Sequence, residues 1–367
     1  MKTREIVEYL NSCFLPVYQE SYDNAGFLVG DPDRETSGVL ATTDVTDEVI
    51  DEAISLGANL IVSHHPLIFG GLKRLTPDSA TSRMVIRLIE NKISVYAAHT
   101  NLDNLQSGVN GILARKLGLA DCRILRPVEG VLRKVVTYVP TADADHVREA
   151  LFDAGAGGIG NYDCCSYNSD GFGTFRAGED CHPHCGQIGE LHREAETRIE
   201  VICEQRQVRR IVERLRQAHP YEEPAIDVIA LANALPSIGA GMVGRLPEPM
   251  PADQFFAMVK ERLGLPVVRT SQKIDNSELK IEKVALCGGS GAFLIGDAKA
   301  CGADVYLTAD LKYHDFQSAE GRIVLADIGH FESEQFAKEI FYDAISKKFS
   351  NFACHISEKD TGYISYI

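Results

Sequence analysis

Short apolar runs and amphipathic stretches follow one another through the first third of the chain. Residues 1–20 read as a helix that places Ile6, Val7 and Leu10 on one face. A turn at Asp23-Asn24-Ala25-Gly26 leads into FLVG, a short strand, and SGVLATTD predicts the next one. A helix is expected over residues 47–56. ANLIVSHHPLIF then reads as a buried strand whose apolar run stops at Ser63. A helix over 82–91, an apolar strand in SVYAAHTNLD and a helix in VNGILARKLGL complete the segment. Strands alternating with helices predict an α/β fold, with a mixed, mostly parallel sheet flanked by helices.

The pattern changes near residue 127. RKVVTYVP predicts a strand and DADHVREALFDAG a helix, followed by Gly-rich, aromatic sequence with a strand near residues 164–175. ETRIEVICEQ (strand), VRRIVERLRQAHP (helix) and PAIDVIALA (strand) complete a β-α-β-β-α-β order, which is ferredoxin-like α+β. This places an inserted domain at 127–235. The Pro/Gly-rich stretch LPSIGAGMVGRLPEPMP reads as a return to the first domain, where α/β alternation resumes through KVALCGGSG, ADVYLTAD, RIVLADIG and a final long helix. The core is therefore expected to be split, 1–126 plus 236–367.

The 367 residues suffice for two domains, and a hydrophobic fraction of 45% supports a substantial core. No apolar run approaches the roughly 20 residues that span a bilayer, and the amphipathic N-terminus lacks the apolar stretch of a signal peptide. A cytoplasmic protein is expected. Ten irregularly spaced cysteines do not suggest a disulfide framework. A net charge of −15 opposes non-specific nucleic-acid binding and attraction to anionic membranes, yet permits a small anionic substrate at a locally positive site.

The candidate chemistry lies at strand ends, where open α/β sheets bind ligands. His64 and His65 directly follow LIVS. Adjacent side chains on an extended segment point to opposite faces and can reach two different ions; the plain alternative is a turn with two solvated histidines. His99 and Asp103 end a second apolar strand, where a capped turn is the alternative. His330 and Glu334 sit at i, i+4 after RIVLADIG and share one helix face, although a first-turn Glu also suits the helix dipole. Three strand ends, one with a pair of histidines and two with His and Asp or Glu, predict mixed nitrogen–oxygen ligation, suited to Zn, Mn, Fe or Co. Two such ions would clamp an oxygen and activate water. Asp44, after VLATT, is a candidate for orienting a ligand histidine. Asp310, Lys312, Tyr313 and His314 follow another strand and could line the same mouth. CGGSG, 287–291, reads as a phosphate nest or a tight turn. CHPHC, with Cys181, His182, His184 and Cys185, is too tightly spaced for the usual zinc pattern and reads as a loop.

The blocks DNAGFLVG, IVSHHPLIF, AAHTNLDN, TADLKYHDF and DIGHFESE, together with YVP, AGAGGIGNYDCCSY, GTFR and AHPYEEPAID in the insert, occur in the order found in one family. The chain resembles the Nif-three-like dinuclear-metal-centre proteins, known by the label type 2 GTP cyclohydrolase I, nearly end to end. That resemblance implies an inserted domain of the PII/CutA type and a homohexamer. It makes His64 and Asp103 ligands of one metal ion and His65 and His330 ligands of the other, with Glu334 bridging and His99 in support. One departure stands out: AGEDCHPHCGQIGE replaces a short ANP-like stretch before IGE, adding a Cys/His cluster to the insert.

The function these readings favour is metal-dependent hydrolysis. On the family's label, this is opening of the imidazole ring of GTP with formate release, with His99 or His314 carrying protons. The competing reading is a metal-handling or regulatory protein whose PII-like insert acts as a sensor; an adaptor role would not need five metal ligands.

Overall fold

The computed structural model describes residues 1–274, 278–360 and 362–365. They form two compact units, Met1–Pro127 with Pro236–Ile367, and Val128–Leu235.

The first unit holds two sheets, where the hydrophobic pattern by itself suggests one. One sheet comprises β1 (Gly26–Val29), β2 (Val39–Thr42), β3 (Leu60–Ser63), β4 (Ser94–Ala97) and β15 (Cys354–Ile356), in the order β1-β4-β3-β2-β15. All neighbours are parallel except β1 and β4. The other comprises β5 (Ala120–Val128), β10 (Leu235–Pro251), β11 (Arg269–Thr270), β12 (Lys280–Ser290), β13 (Val305–Ala309) and β14 (Val324–Asp327), in the order β11-β14-β13-β12-β10-β5. Here β12, β13 and β14 run parallel, whereas β10 is antiparallel to β12 and β11 to β14.

Strand alternation explains the layers. Val39, Ala41, Leu60, Val62 and Tyr96 share one central core with Val284, Leu286, Val305, Leu307, Val324 and Ala326 of the other sheet. Helices Thr3–Cys13, Val109–Leu117, Ala252–Leu263 and Ala337–Lys348 contribute to that same core. The intervening residues Leu40, Ile61 and Val95 instead meet helices Asp47–Leu56 and Ala80–Glu90. Ala285, Cys287, Tyr306 and Leu325 likewise face outward to helix Ile295–Ala300.

Two segments differ from expectation. The first helix stops at Cys13, short of residue 20; a single 3₁₀ turn, Pro16–Tyr18, follows, because Pro16 has no N–H to continue the ladder. The Pro/Gly-rich return segment, to which the pattern assigns no element, is the long strand β10. Its glycines permit close backbone approach: a Cβ on Gly239 would lie 2.1 Å from the Arg126 carbonyl oxygen, and one on Gly244 would lie 3.0 Å from that of Ala120.

The second unit contains β6 (Leu132–Pro140), β7 (Ser166–Arg176), β8 (Leu191–Glu204) and β9 (Ile226–Ala230) in the order β7-β8-β6-β9. Every neighbouring pair is antiparallel. Helices Ala144–Asp153 and Val208–Ala218 cover one face through Val147, Leu151, Ile211 and Leu215, against Val135, Ile199 and Val201. Among the described residues, no helix is long and apolar enough to cross a membrane.

Candidate metal centre

The carboxyl ends of parallel strands from both sheets of the first unit meet at one place. β3 ends in Ser63 and hands the chain to His64 and His65. β4 leads through Ala98 to His99 and the single helical turn Thr100–Asp103. β14 leads through Gly329, whose φ of +85° makes the sharp turn, to the short helix His330–Glu334. His64 is fully buried and Glu334 nearly so, whereas His65 and His330 are partly open.

Four imidazoles share one arrangement. The Nδ1 atom of each meets an oxygen: His64 the Ala98 carbonyl at 2.9 Å, His65 the Asp44 carboxylate at 2.9 Å, His99 Asp23 at 2.8 Å and His330 Asp310 at 2.7 Å. With Nδ1–H donated outward, each Nε2 keeps its lone pair for the interior. Asp310 adopts a left-handed backbone, φ +56°, a conformation that Asp tolerates better than most residues.

The inward atoms form two triads that share Glu334: His64, Asp103 and Glu334, and His65, His330 and Glu334. Glu334 divides its oxygens between them. Oε1 lies 3.7 Å from His64 Nε2, and Oε2 lies 2.8 Å from His65 Nε2 and 3.1 Å from His330 Nε2. His99 brings a ligand atom within 4.8 Å of those of His64 and His65.

His64 Nε2 and Asp103 Oδ1 face each other at 3.5 Å, both buried and both without a hydrogen-bond partner. Leaving such atoms unsatisfied costs about 1–3 kcal/mol each. A lone pair on nitrogen and one on a carboxylate oxygen cannot satisfy one another. A cation between them satisfies both, so the donor set fits divalent metal.

The electrostatics agree. Burial disfavours charge on His65 and His330, yet hydrogen bonds to carboxylates outweigh it and raise their pKa values to about 11 and about 9. Burial raises Asp103 to about 7, with Glu334 adding to the effect against the pull of His64. Glu334 is itself buried, but the surrounding imidazoles hold it well below the usual carboxylate range. Burial, Asp103 and Glu334 push the nearby Cys287 thiol up to about 12, which makes it inert. Together these are carboxylates and imidazoles awaiting positive charge.

A model of the Duf34/NIF3 (NGG1p interacting factor 3) family matches residues 1–362. The chain belongs to the Duf34/NIF3 family. A relative from Halalkalibacterium halodurans is 42% identical over 293 residues, covering 80% of this chain and 78% of its own. One from Staphylococcus epidermidis is 35% identical over 372 residues, covering all of both chains. Each bears the name GTP cyclohydrolase 1 type 2 homolog. The crystal structure of a Bacillus cereus protein related to NIF3 superposes with a TM-score of 0.84 at 38% identity, covering 100% of this chain and 99% of that one.

Within this Duf34/NIF3 chain, the five residues expected as metal ligands lie together, with His99 beside them. His314 does not join them: it is exposed on helix Tyr313–Gln317, its Nδ1 3.4 Å from Gln317 and its ring against Tyr313. Lys312 and Tyr313 are exposed as well. Gly288 and Gly289 of CGGSG do not cradle phosphate, because their N–H groups donate to Asn110 and Ser333. Gly289 instead lies against Glu334: with φ +61°, its Cβ would sit 2.2 Å from Oε1. Asp23 went unnoticed as a supporting residue. Its signal was the polar turn DNAG, which reads equally well as chain reversal.

Proposed function

We propose that the chain is a hydrolase that depends on two divalent ions, of zinc, iron, manganese or cobalt, held by the two triads, and that its substrate is GTP. The observation that carries the metal reading is the facing pair of buried, unpartnered atoms on His64 and Asp103 beside the shared Glu334 carboxylate. GTP is suggested by the names of the relatives. Bound there, such ions supply Lewis acidity and activate water.

The protein's own groups supply orientation and proton handling. Asp44, Asp310 and the Ala98 carbonyl fix the tautomers of His65, His330 and His64. Although the Asp23 side chain is closed off from solvent, its bonds to His99 and Thr100 lower its pKa to about 2, so it remains an acceptor that orients His99. The Nε2 of His99 can then take up and release a proton beside the triads. The exposed Phe69 ring stands edge-on to His99, with centroids 6.2 Å apart, and Tyr22 lies 6.5 Å from Phe69. These rings offer a flat base a stacking surface at the mouth. His314 has no part in this scheme. The proposal includes a homohexamer and a PII/CutA-like origin for the insert, the latter supported by its β-α-β-β-α-β order.

The test is formate release from GTP by protein loaded separately with Zn, Mn, Fe or Co, with metal content measured in the same samples and His65→Ala as control. Metal-dependent formate that vanishes in the control supports the proposal. Fully loaded protein that releases none removes GTP and moves the reading to another hydrolysis or to metal handling.

A further inference from the structure

A second group of ligating side chains lies far along the sequence, within the inserted unit. His192 and Glu194 stand two residues apart on β8 and therefore on one face of the strand. Cys185, from the loop that precedes β8, brings its sulfur to them: the ligand atoms of Cys185, His192 and Glu194 all lie within 4.8 Å of one another. His192 Nε2 lies 2.7 Å from Glu194 Oε2, and Cys185 Sγ lies 3.8 Å from the Tyr221 hydroxyl. All three residues are partly exposed, so an ion can enter from solvent.

The loop is shaped to bring the thiol there. Gly186, next to Cys185, has φ +79°, and a Cβ on it would fall 2.7 Å from Cγ of His192. Only a residue without a side chain lets the loop press onto that ring at this turn. Phe175 closes the other side, 5.3 Å from His192 and 5.9 Å from Tyr221 between ring centroids. The same loop contributes Cys181, Pro183 and His184 to the wall of a cavity of about 610 Å³ that also involves Phe172, Glu196 and Tyr221.

We propose that Cys185, His192 and Glu194 form a third metal site, for a zinc-class cation, which fastens this loop to β8 and so fixes one wall of the cavity. Sulfur, nitrogen and oxygen ligands together favour zinc over calcium or magnesium. Three protein ligands leave the fourth tetrahedral position to water. Binding exchanges the thiol proton for the cation.

Cobalt(II) tests this in the full-length protein, because thiolate-to-cobalt charge transfer gives a near-ultraviolet absorption that purely nitrogen–oxygen sites lack. The wild type is expected to show this band. Cys185→Ser is expected to abolish it, while Cys181→Ser, Cys287→Ser and Glu334→Gln retain it. His192→Gln keeps the sulfur and is expected to weaken cobalt binding by more than about tenfold, a loss seen even when an outer partner of a ligand is removed. Far-ultraviolet circular dichroism checks that each variant folds. No band in the wild type at saturating cobalt, a band that survives Cys185→Ser, or unchanged affinity in His192→Gln overturns the proposal. Since Glu334→Gln impairs only the core triads, the outcome is independent of theirs.

Discussion

Glu334 is the residue on which both core triads depend. Glu334→Gln keeps the shape but replaces one oxygen with an amide donor, so metal content is expected to fall at both triads together. Elemental analysis of purified protein checks this; undiminished stoichiometry would mean that the carboxylate is not shared. Gly289 guards the same group. Gly289→Ala sets a Cβ against Oε1 in a left-handed backbone, a strain of about 1–3 kcal/mol, and both the midpoint of thermal unfolding and metal affinity are expected to drop. Protons compete for the inward lone pairs. His65 and His330, raised to about 11 and about 9, are protonated at neutral pH in the metal-free protein. Metal must displace those protons, so affinity is expected to rise with pH through about 9, where His330 loses its proton, and on towards about 11 for His65, and loading at neutral pH to acidify a weakly buffered solution. Calorimetry in buffers of different ionisation enthalpy measures the protons released. The sequence displayed His64, His65, Asp103, His330 and Glu334 because the histidines and Asp103 come at or just beyond the ends of apolar runs and Glu334 stands at i, i+4 from His330. Asp23 and Gly289 were not legible in this way, since each meets its partner only through tertiary approach.

At the scale of elements, the clearest signals were apolar runs that end in a polar residue, and these became β2, β3, β4, β13 and β14. Helix Asp47–Leu56 was equally plain. Thr46 caps it by accepting the Val49 N–H at 3.2 Å, and Gly57 ends it in the left-handed conformation. Thr46→Ala is expected to cost about 1 kcal/mol, measurable by urea denaturation. The strands that escaped notice, β5, β11 and β15, are edge elements with weak local patterns, and β10 carries glycines that ordinarily oppose a strand. Their conformation is set by the neighbour they pair with, which lies remote in sequence.

Across the molecule, the central core and the candidate centre coincide in depending on both sheets of the first unit. Leu307, fully buried there, contributes through packing; Leu307→Ala is expected to cost about 2–5 kcal/mol. The alternation of strands and helices announced an α/β core with an α+β insert, but not that the core strands divide into two sheets. Nothing in the local pattern of β4 or β12 states which strands it will not pair with; that is settled by the shared layer of side chains between the sheets.

The order in which the chain is synthesised gives the split core a temporal meaning. His65 and Glu334 are separated by 269 positions, and β15, which completes the first sheet beside β2, follows the whole second sheet in the chain. The inserted unit, Val128–Leu235, is continuous and leaves the ribosome whole while the core still lacks β12, β13 and β14. It can finish folding first. The two core triads, by contrast, do not exist until residue 334 has been made and has folded back, so a chain stalled before that point presents histidines but no shared carboxylate.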